Sequence, residues 1–239
     1  CIRDSNNVVG VALPSKYNTE ESLVDARLLA ENLDIEFKVI EIEEIVNIFR
    51  NTLKESVNDE LGPITDENIQ SRVRGNILMA LSNQTGAMVV STGNKSEMAV
   101  GYSTLYGDLA GGFALLKDLY KTEVYNLANF RNSISSVIPQ NTIDKEPSAE
   151  LRPDQFDKDS LPEYELLDEI LRMYIEEDSS SEKIISKGID ENIVYDVLSK
   201  VDRNEYKRKQ VAPGVKLTEK AFGKDRRMPI TNTYIRERG

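Results

Sequence analysis

The first quarter of the chain alternates between short apolar runs and segments in which apolar residues recur every three or four positions. The apolar run at residues 7–13 predicts a buried strand that Pro14 ends. Helical spacing predicts helices over residues 20–33 and 45–57, and a strand is predicted between them at residues 36–42. This strand–helix–strand–helix order predicts a parallel sheet with helices packed on its faces.

The next segment predicts a long helix followed by a third strand. Thr65 is a suitable cap for this helix, and Gly86 is a suitable end. The apolar stripe of the helix consists of Ile69, Val73, Ile77 and Leu81. Residues 87–91 predict the third strand, and residues 92–97 after it predict a polar loop. Loops at the carboxyl ends of parallel strands line ligand crevices, so this loop is the first candidate for a functional site.

The second half of the chain is mainly helical in pattern. A helix is predicted over residues 121–130, whereas residues 139–162 carry four prolines and predict a long loop or lid. Residues 163–177 and 190–208 predict amphipathic helices. The predicted fold is therefore α/β, with helices on both faces of a parallel sheet and a helical C-terminal part.

The residue counts exclude several kinds of chemistry. The chain has 239 residues, a net charge of −11 and 39% hydrophobic residues, which is typical of a globular protein. With no histidine and one cysteine, it supplies no imidazole base, no Ser-His-Asp or Cys-His nucleophile, no internal disulfide and no cysteine-ligated zinc site. One thiol fits a cytoplasmic location. No apolar run approaches the roughly 18 residues of a membrane span.

The predicted loop at residues 92–97 combines groups that suit a polyphosphate with a hard cation. Lys95 is suited to a phosphate and Glu97 to Mg²⁺; a solvated turn is the alternative. Lys117 and Lys121 are one helical turn apart and are predicted to face the same way. They would act as point charges beside a phosphate, or form an exposed basic face.

Three polar residues lie near the start of the long helix, off its apolar stripe: Asn68, Arg72 and Arg74. Arginines at such positions either clamp a carboxylate or phosphate or pair with surface glutamates. Further along, basic residues gather at 207–238, but the aromatic residues there are too widely spaced for nucleic-acid stacking. We expect no nucleic-acid partner and no membrane partner, and interpret this basic tail as a docking surface for the acidic body, another subunit or an anionic ligand.

The chain begins with Cys1. Either this residue is a processed N-terminal nucleophile, or the true beginning of the protein is missing.

Six stretches of the chain carry a family signature. They include Ser-Thr-Gly-Asn-Lys-Ser-Glu at residues 91–97, continued to residue 102, and Leu-Tyr-Gly-Asp at residues 105–108. The others lie at residues 67–75, 147–155, 204–210 and 221–230. Together and in this order, they resemble the synthetase domain of the glutamine-dependent NAD⁺ synthetases over nearly the whole chain.

The resemblance implies an adenine-nucleotide α-hydrolase-like (Rossmann-like) fold and a two-step ligase reaction. In this family, ATP adenylates the nicotinate carboxylate of deamido-NAD⁺ with release of pyrophosphate, and ammonia derived from glutamine then displaces AMP. Ammonia is the nucleophile, so a site without histidine suffices, and charge on phosphate and carbonyl oxygens is stabilised by Lys, Mg²⁺ and backbone donors. The resemblance thus implies ATP and Mg²⁺ as cofactors, and we expect a cytoplasmic homo-oligomer.

The resemblance also implies two sets of site residues. The ATP contacts are Thr92, Lys121 and Ser148, and Glu97 is the Mg²⁺ carboxylate beside the deamido-NAD⁺ site. The other positions that match dinucleotide contacts are Asn68, Arg72, Tyr102, Ser103, Thr104, Leu105, Asp108 and Lys207.

Some features depart from the family pattern. The ammonia-dependent branch usually has Lys where this chain has Leu105 and Asp where it has Gly112, which favours the glutamine-dependent branch. The family's Ser-Gly-Gly-x-Asp-Ser pyrophosphate loop and its nitrilase-like glutaminase domain do not occur in the 239 residues. We therefore expect residues 1–239 to be a synthetase domain that is inactive alone, with the pyrophosphate loop before Cys1. Two alternatives stay open: an ATP pyrophosphatase that amidates or thiolates another acid, and a non-catalytic nucleotide-binding module.

Overall fold

The computed structural model describes residues 2–57 and 59–231, without the side chains of residues 2–4. Cys1 and the end of the basic tail, on which two of the interpretations above depend, lie outside the described residues. The chain divides into two compact units. The first unit takes in residues up to 74 together with 125–160, and the second takes in 75–124 together with the residues from 161 on. Over the described part of the chain, every helix is too short or too polar to cross a membrane.

The first unit opens with a parallel β-α-β arrangement. Strand β1 (Val9–Ala12) pairs in parallel with β2 (Glu36–Val39), and helix α1 (Glu20–Asn32) connects them. Helix α2 (Glu43–Val57) follows. The predicted order and parallel pairing are confirmed, although both strands are shorter than the apolar runs that predicted them. The hydroxyl of Thr19 accepts a hydrogen bond from the Ser22 amide at 3.2 Å and so caps α1.

Helix α3 (Pro63–Thr85) runs from the first unit into the second. It begins at Pro63, so the prediction that Thr65 caps it is wrong. Proline presets the backbone of a first helical position, and the Thr65 amide already donates to the Gly62 carbonyl at 3.0 Å inside the first turn. Gly86 follows the last residue with a positive φ of 75°, as expected for a helix end.

The second unit contains a second parallel strand pair. Strand β3 (Val90–Ser91) pairs with β4 (Phe113–Ala114), and the short helix α4 (Lys95–Val100) lies between them in sequence. Residues 95–97, predicted to lie in a loop, therefore form the first turn of a helix. Helix α5 (Lys121–Ile134) runs from the second unit into the first. In the segment predicted as a long loop, the first unit forms helix α6 (Gln140–Asp144) and a 3₁₀ turn at Asp157–Asp159.

The C-terminal part of the second unit is helical, as predicted. It comprises helices α7 (Tyr164–Ile175), α8 (Ser181–Ile185), α9 (Glu191–Arg203) and α10 (Glu205–Arg208). The helix predicted over residues 190–208 is interrupted at Asn204, whose side-chain amide donates to the carbonyls of Val100 and Lys200. Fully buried side chains of α7, α8 and α9 form the core of this unit: Leu167, Ile170, Leu171, Ile184, Val194, Val197, Leu198 and Val201.

Candidate active site

The first turn of α4 is fixed by a reciprocal capping box at its N-terminus. Asn94 has an extended backbone, and its side-chain Oδ1 accepts a hydrogen bond from the Glu97 amide at 3.0 Å. In return, Glu97 Oε2 accepts one from the Asn94 amide at 3.2 Å. The sequence folds this way because Asn at the cap and Glu three residues later satisfy two helix-end donors at once. The Glu97 carboxylate is thereby held over the positive end of the helix.

The second oxygen of this carboxylate faces a lysine. Glu97 Oε1 lies 3.4 Å from Lys121 Nζ, and both side chains are about one-fifth exposed. Lys121 is the first residue of α5, and its ammonium also lies over the ring of Tyr164. Burial raises the pKa of Glu97 above its ordinary value, although Lys121 and Asn94 act to lower it. A further cation beside this carboxylate would therefore be favourable.

The structure shows that two other lysines serve the fold, which corrects two sequence interpretations. Lys95 is fully buried, with its ammonium 3.1 Å from Asp118 and 2.9 Å from Glu176. It is committed to these carboxylates and unsuited to a phosphate. Lys117 lies in the turn before α5 and donates to the Ala212 carbonyl at 2.9 Å, so it shares no helical face with Lys121.

The loop after α4 brings together most of the predicted dinucleotide positions. The ammonium of Lys207 donates to the carbonyls of Gly101 and Ser103 at 2.6 and 2.7 Å. One carboxylate oxygen of Asp108 accepts a hydrogen bond from the Thr104 amide at 2.7 Å. Burial lowers the pKa of Lys207, while the nearby charge of Asp108 acts to raise it. Lys207 and Asp108 thus shape the loop that carries Tyr102, Ser103, Thr104 and Leu105.

Thr92 lies in the same unit, directly after β3, and is exposed. Its position at the carboxyl end of a parallel strand agrees with the prediction that polar residues gather there.

The remaining predicted residues belong to the first unit. Arg72 is exposed and Asn68 half-buried, both on α3. The guanidinium of Arg74 donates to the Leu13 carbonyl at 2.9 Å and to the Asn18 side chain at 3.0 Å, so its role is structural. The hydroxyl of Ser148 donates to the Gln155 carbonyl and accepts from the Glu150 amide at 3.1 Å, which fixes it within a turn.

Sequence reasoning missed a buried carboxylate on α7. Asp168 is 3% exposed, and it accepts hydrogen bonds from the Ser96 hydroxyl on one oxygen and from Thr122 on the other. A signal for it existed, because Asp168 lies among the apolar positions of an otherwise amphipathic helix. A carboxylate on the buried face of a helix needs a polar partner from another element.

The pKa shifts single out this region. Among carboxylates of the described residues with a resolved shift, Glu97 and Asp168 have a pKa raised by burial. The others are lowered, and they are Glu43, Asp66, Asp118, Glu150, Asp178 and Asp225. Carboxylates whose charged form is disfavoured by burial are found preferentially at functional sites.

The donor set limits what metal this region can hold. Within the described residues, no group of three or more carboxylate or cysteine side chains is placed to hold a metal ion. Mg²⁺ does not require such a cluster, since it is commonly bound by one or two carboxylates together with waters and substrate phosphates.

Comparison with known proteins identifies one family, on which the family model and the relatives agree. The family model of NAD synthase matches residues 2–211. A glutamine-dependent NAD(+) synthetase of Aquifex aeolicus (strain VF5) is 53% identical over 230 residues, which are 96% of this chain and 41% of the relative. The chain therefore spans about two-fifths of the length of that curated relative.

Two solved structures are similar as well. The glutamine-dependent NAD+ synthetase from Acinetobacter baumannii, solved in complex with adenosine diphosphate, is 47% identical with a TM-score of 0.55, covering 93% of this chain and 40% of that one. A glutamine-dependent NAD(+) synthetase from Cytophaga hutchinsonii shares the fold with a TM-score of 0.78 at 23% identity, covering 94% of this chain and 38% of that one.

Proposed function

This chain belongs to the NAD synthase family, and on that premise we propose that it is the synthetase domain of a protein that catalyses the ATP-dependent amidation of deamido-NAD⁺ to NAD⁺. The observation that carries the proposal is the pair formed by Glu97 and Lys121 at the N-termini of α4 and α5. A carboxylate for a hard cation and an ammonium for a phosphate, side by side, are what a nucleotide polyphosphate requires.

The first step joins the two substrates. The nicotinate carboxylate of deamido-NAD⁺ attacks the α-phosphorus of ATP, the bond to the β-phosphate breaks, and pyrophosphate leaves with that electron pair. Negative charge develops on the phosphate oxygens, and the Lys121 ammonium is the group of this chain that stabilises it. We assign Thr92 and Ser148 as the other ATP contacts.

The second step forms the amide. Ammonia attacks the carbonyl carbon of the adenylated carboxylate, AMP leaves, and the nitrogen loses a proton. The nucleophile is ammonia and not a side chain of the protein, so the chain needs only to bind, orient and shield the acyl adenylate. This agrees with the absence of histidine from the sequence.

Glu97 is the residue that would hold Mg²⁺, which supplies charge neutralisation of the phosphates when bound. The loop shaped by Lys207 and Asp108 would bind deamido-NAD⁺ through Tyr102, Ser103, Thr104 and Leu105, and Asn68 and Arg72 are further contacts by resemblance. Arg72 is exposed on α3, and a guanidinium is suited to a planar anionic group such as a carboxylate or phosphate.

We propose further that the chain acts as the synthetase domain beside a glutaminase domain that supplies ammonia, within a cytoplasmic protein. A homo-oligomer is supported by exposed apolar side chains of the first unit, Ile48 and Phe49 on α2 and Phe130 and Ile134 on α5. Light scattering of the full-length protein tests this, and a monomer at micromolar concentration would contradict it.

The function is tested by measuring pyrophosphate release and NAD⁺ formation by the full-length protein with ATP, Mg²⁺, deamido-NAD⁺ and ammonia. The variant Glu97→Gln should lose at least about 100-fold in turnover. It lacks the negative charge that would hold Mg²⁺ beside the phosphates. It should unfold no more easily than wild type, since burial raises the pKa of Glu97 and its charged form is unfavourable in the fold.

The matched control is Glu169→Gln, which removes an exposed carboxylate of α7 in the same unit and should leave turnover unchanged. Turnover of Glu97→Gln at the wild-type level would overturn the metal assignment. Pyrophosphate release by wild type that does not depend on deamido-NAD⁺ would overturn the substrate.

A further inference from the structure

The proposed function gives no role to Asp168, a carboxylate that is 3% exposed in the second unit. Asp168 Oδ1 accepts a hydrogen bond from Ser96 Oγ at 2.5 Å. Its Oδ2 accepts two, from the amide and the hydroxyl of Thr122, each at 2.9 Å. Ser96 lies in the first turn of α4 and Thr122 in the first turn of α5. A single side chain from α7 thus joins the beginnings of two other helices.

The same network reaches the two residues that carry the proposed function. Ser96 directly precedes Glu97, and its hydroxyl also accepts a hydrogen bond from the Lys121 amide at 2.9 Å. The backbone atoms from which the Glu97 and Lys121 side chains extend are therefore held by Ser96 and Asp168. The charged ends of the pair are 3.4 Å apart, so a small shift of one helix against the other would change their separation appreciably.

Packing alone gives no reason for a carboxylate at this position. The neighbours of Asp168 on the buried face of α7, Leu167 and Leu171, are apolar and fully buried, and a leucine would continue their stripe. Burial raises the pKa of Asp168 despite its three donors and the nearby charge of Arg172. In some proteins a buried ionic group specifies the geometry of the residues around it, and the three hydrogen bonds of Asp168 are suited to that role.

We propose that Asp168 is a positioning residue that sets the separation of Glu97 and Lys121 for binding of magnesium-ATP. The inference rests on the proposed function, because the roles of Glu97 and Lys121 come from it. In this scheme Asp168 itself contacts no substrate. It acts through Ser96 and through the Thr122 backbone.

The test compares Asp168→Asn and Ser96→Ala with wild type in the full-length protein. Direct titration with magnesium-ATP gives Kd, and steady-state assays give KM for ATP and for ammonia separately. Replacing a residue that orients a ligand-binding side chain typically reduces affinity by about 10–100-fold. Kd and KM for magnesium-ATP should therefore rise by about that factor. KM for ammonia should stay unchanged. A purely structural role would instead reduce the active fraction, lowering kcat and leaving every KM as it was.

The matched control is Asp202→Asn, which alters another carboxylate of this unit that is 2% exposed, on α9, where it accepts a hydrogen bond from Tyr174. It should change KM for magnesium-ATP less than twofold. Since Asp168 and Ser96 act as one unit, the Kd of the double variant for magnesium-ATP should be no higher than that of the weaker-binding single variant. If Asp168→Asn fails to fold, Ser96→Ala decides the question alone.

The outcomes separate this inference from the proposed function. Wild type that binds magnesium-ATP but forms no NAD⁺ would overturn the function, while the ratio of Kd values would still decide the role of Asp168. Wild-type Kd and KM for magnesium-ATP in both Asp168→Asn and Ser96→Ala would overturn the positioning role while leaving the function intact.

Discussion

Lys95 and Lys121 each occupy the first position of a helix, α4 and α5, but their surroundings differ. Lys95 has no solvent exposure and is enclosed by Asp118, Glu176 and the Thr218 hydroxyl. Lys121 is partly exposed and pairs with Glu97. The two lysines therefore differ in the carboxylates that they contact and in whether solvent reaches them. Both residues are lysines at the start of a helix, so residue type and helix position do not distinguish them.

Replacing each of these lysines by methionine should separate stability from binding. Lys95→Met leaves the buried Asp118 and the half-buried Glu176 without their cation, so the free energy of unfolding should fall by about 3–5 kcal/mol. Lys121→Met should change it by less than about 1 kcal/mol, while magnesium-ATP binding is lost. Urea unfolding and nucleotide titration check both values. Equal stability loss in the two variants would show that the assignment of roles is wrong.

Elements of the fold follow from local patterns more readily than the site does. The parallel β-α-β order and the C-terminal helices were predictable because apolar periodicity is a property of neighbouring residues. The helix boundaries at Pro63 and at Lys95 depend on the residues that cap each helix. Thr65 was the wrong cap for α3, and the start of α4 was not predicted because residues 92–97 were interpreted as a loop.

The site was predictable only where a motif carried it. Glu97 and Lys121 were candidates from loop composition and lysine spacing as well as from the family resemblance, whereas Lys207 was assigned to the dinucleotide by the resemblance alone. All three lie in the second unit. The buried role of Lys95 and the bridging role of Asp168 were not predictable, because their partners lie 23 to 125 residues away in sequence. Periodicity places Asp168 on the buried face of its helix, but it does not identify the residues that Asp168 contacts.

The end of α4 shows how one element fixes the loop that follows. Gly101 has a φ of 72°, and a Cβ added there would lie 2.2 Å from the Asn204 side chain. Gly101→Ala must therefore displace Asn204, which donates to the Val100 carbonyl. Gly86 has a similar φ of 75° with open space around it, and so provides the matched control.

We expect Gly86→Ala to lower the free energy of unfolding by about 1–2 kcal/mol, the price of a left-handed backbone alone. Gly101→Ala should lower it by at least about 1 kcal/mol more, because a close contact is added to the same backbone strain. Chemical denaturation measures both. If the two variants lose equal stability, Asn204 yields without strain and does not fix the loop.

The chain as a whole is acidic, with a net charge of −11, so the ionisation of its carboxylates affects the stability of the fold. The buried carboxylate of Asp118, which lies 3.1 Å from Lys95 Nζ, has a lowered pKa. For Asp118, burial acts to raise it, but the amides of Thr218 and Leu217 and the charge of Lys95 outweigh burial. Such a carboxylate stabilises the fold at neutral pH, and this contribution is lost as the pH falls through its ordinary value towards its folded value.

Asp118→Asn should therefore unfold at a lower urea concentration than wild type at pH 7, and the difference should shrink progressively below about pH 5. Urea midpoints measured from pH 7 to pH 3.5 check this. The exposed Glu169→Gln variant controls for the loss of one negative charge, and its midpoints should follow those of wild type. A constant difference between Asp118→Asn and wild type across the range would contradict the lowered pKa.

The complete enclosure of Lys95 also makes it a chemical reporter. An acylating reagent can reach this amine only while the surrounding structure is transiently open, whereas the exposed Lys224 reacts at all times. The ratio of their acylation rates would give the free energy of that opening in the second unit. Repeating the measurement with nucleotide present would show whether a ligand closes this part of the chain.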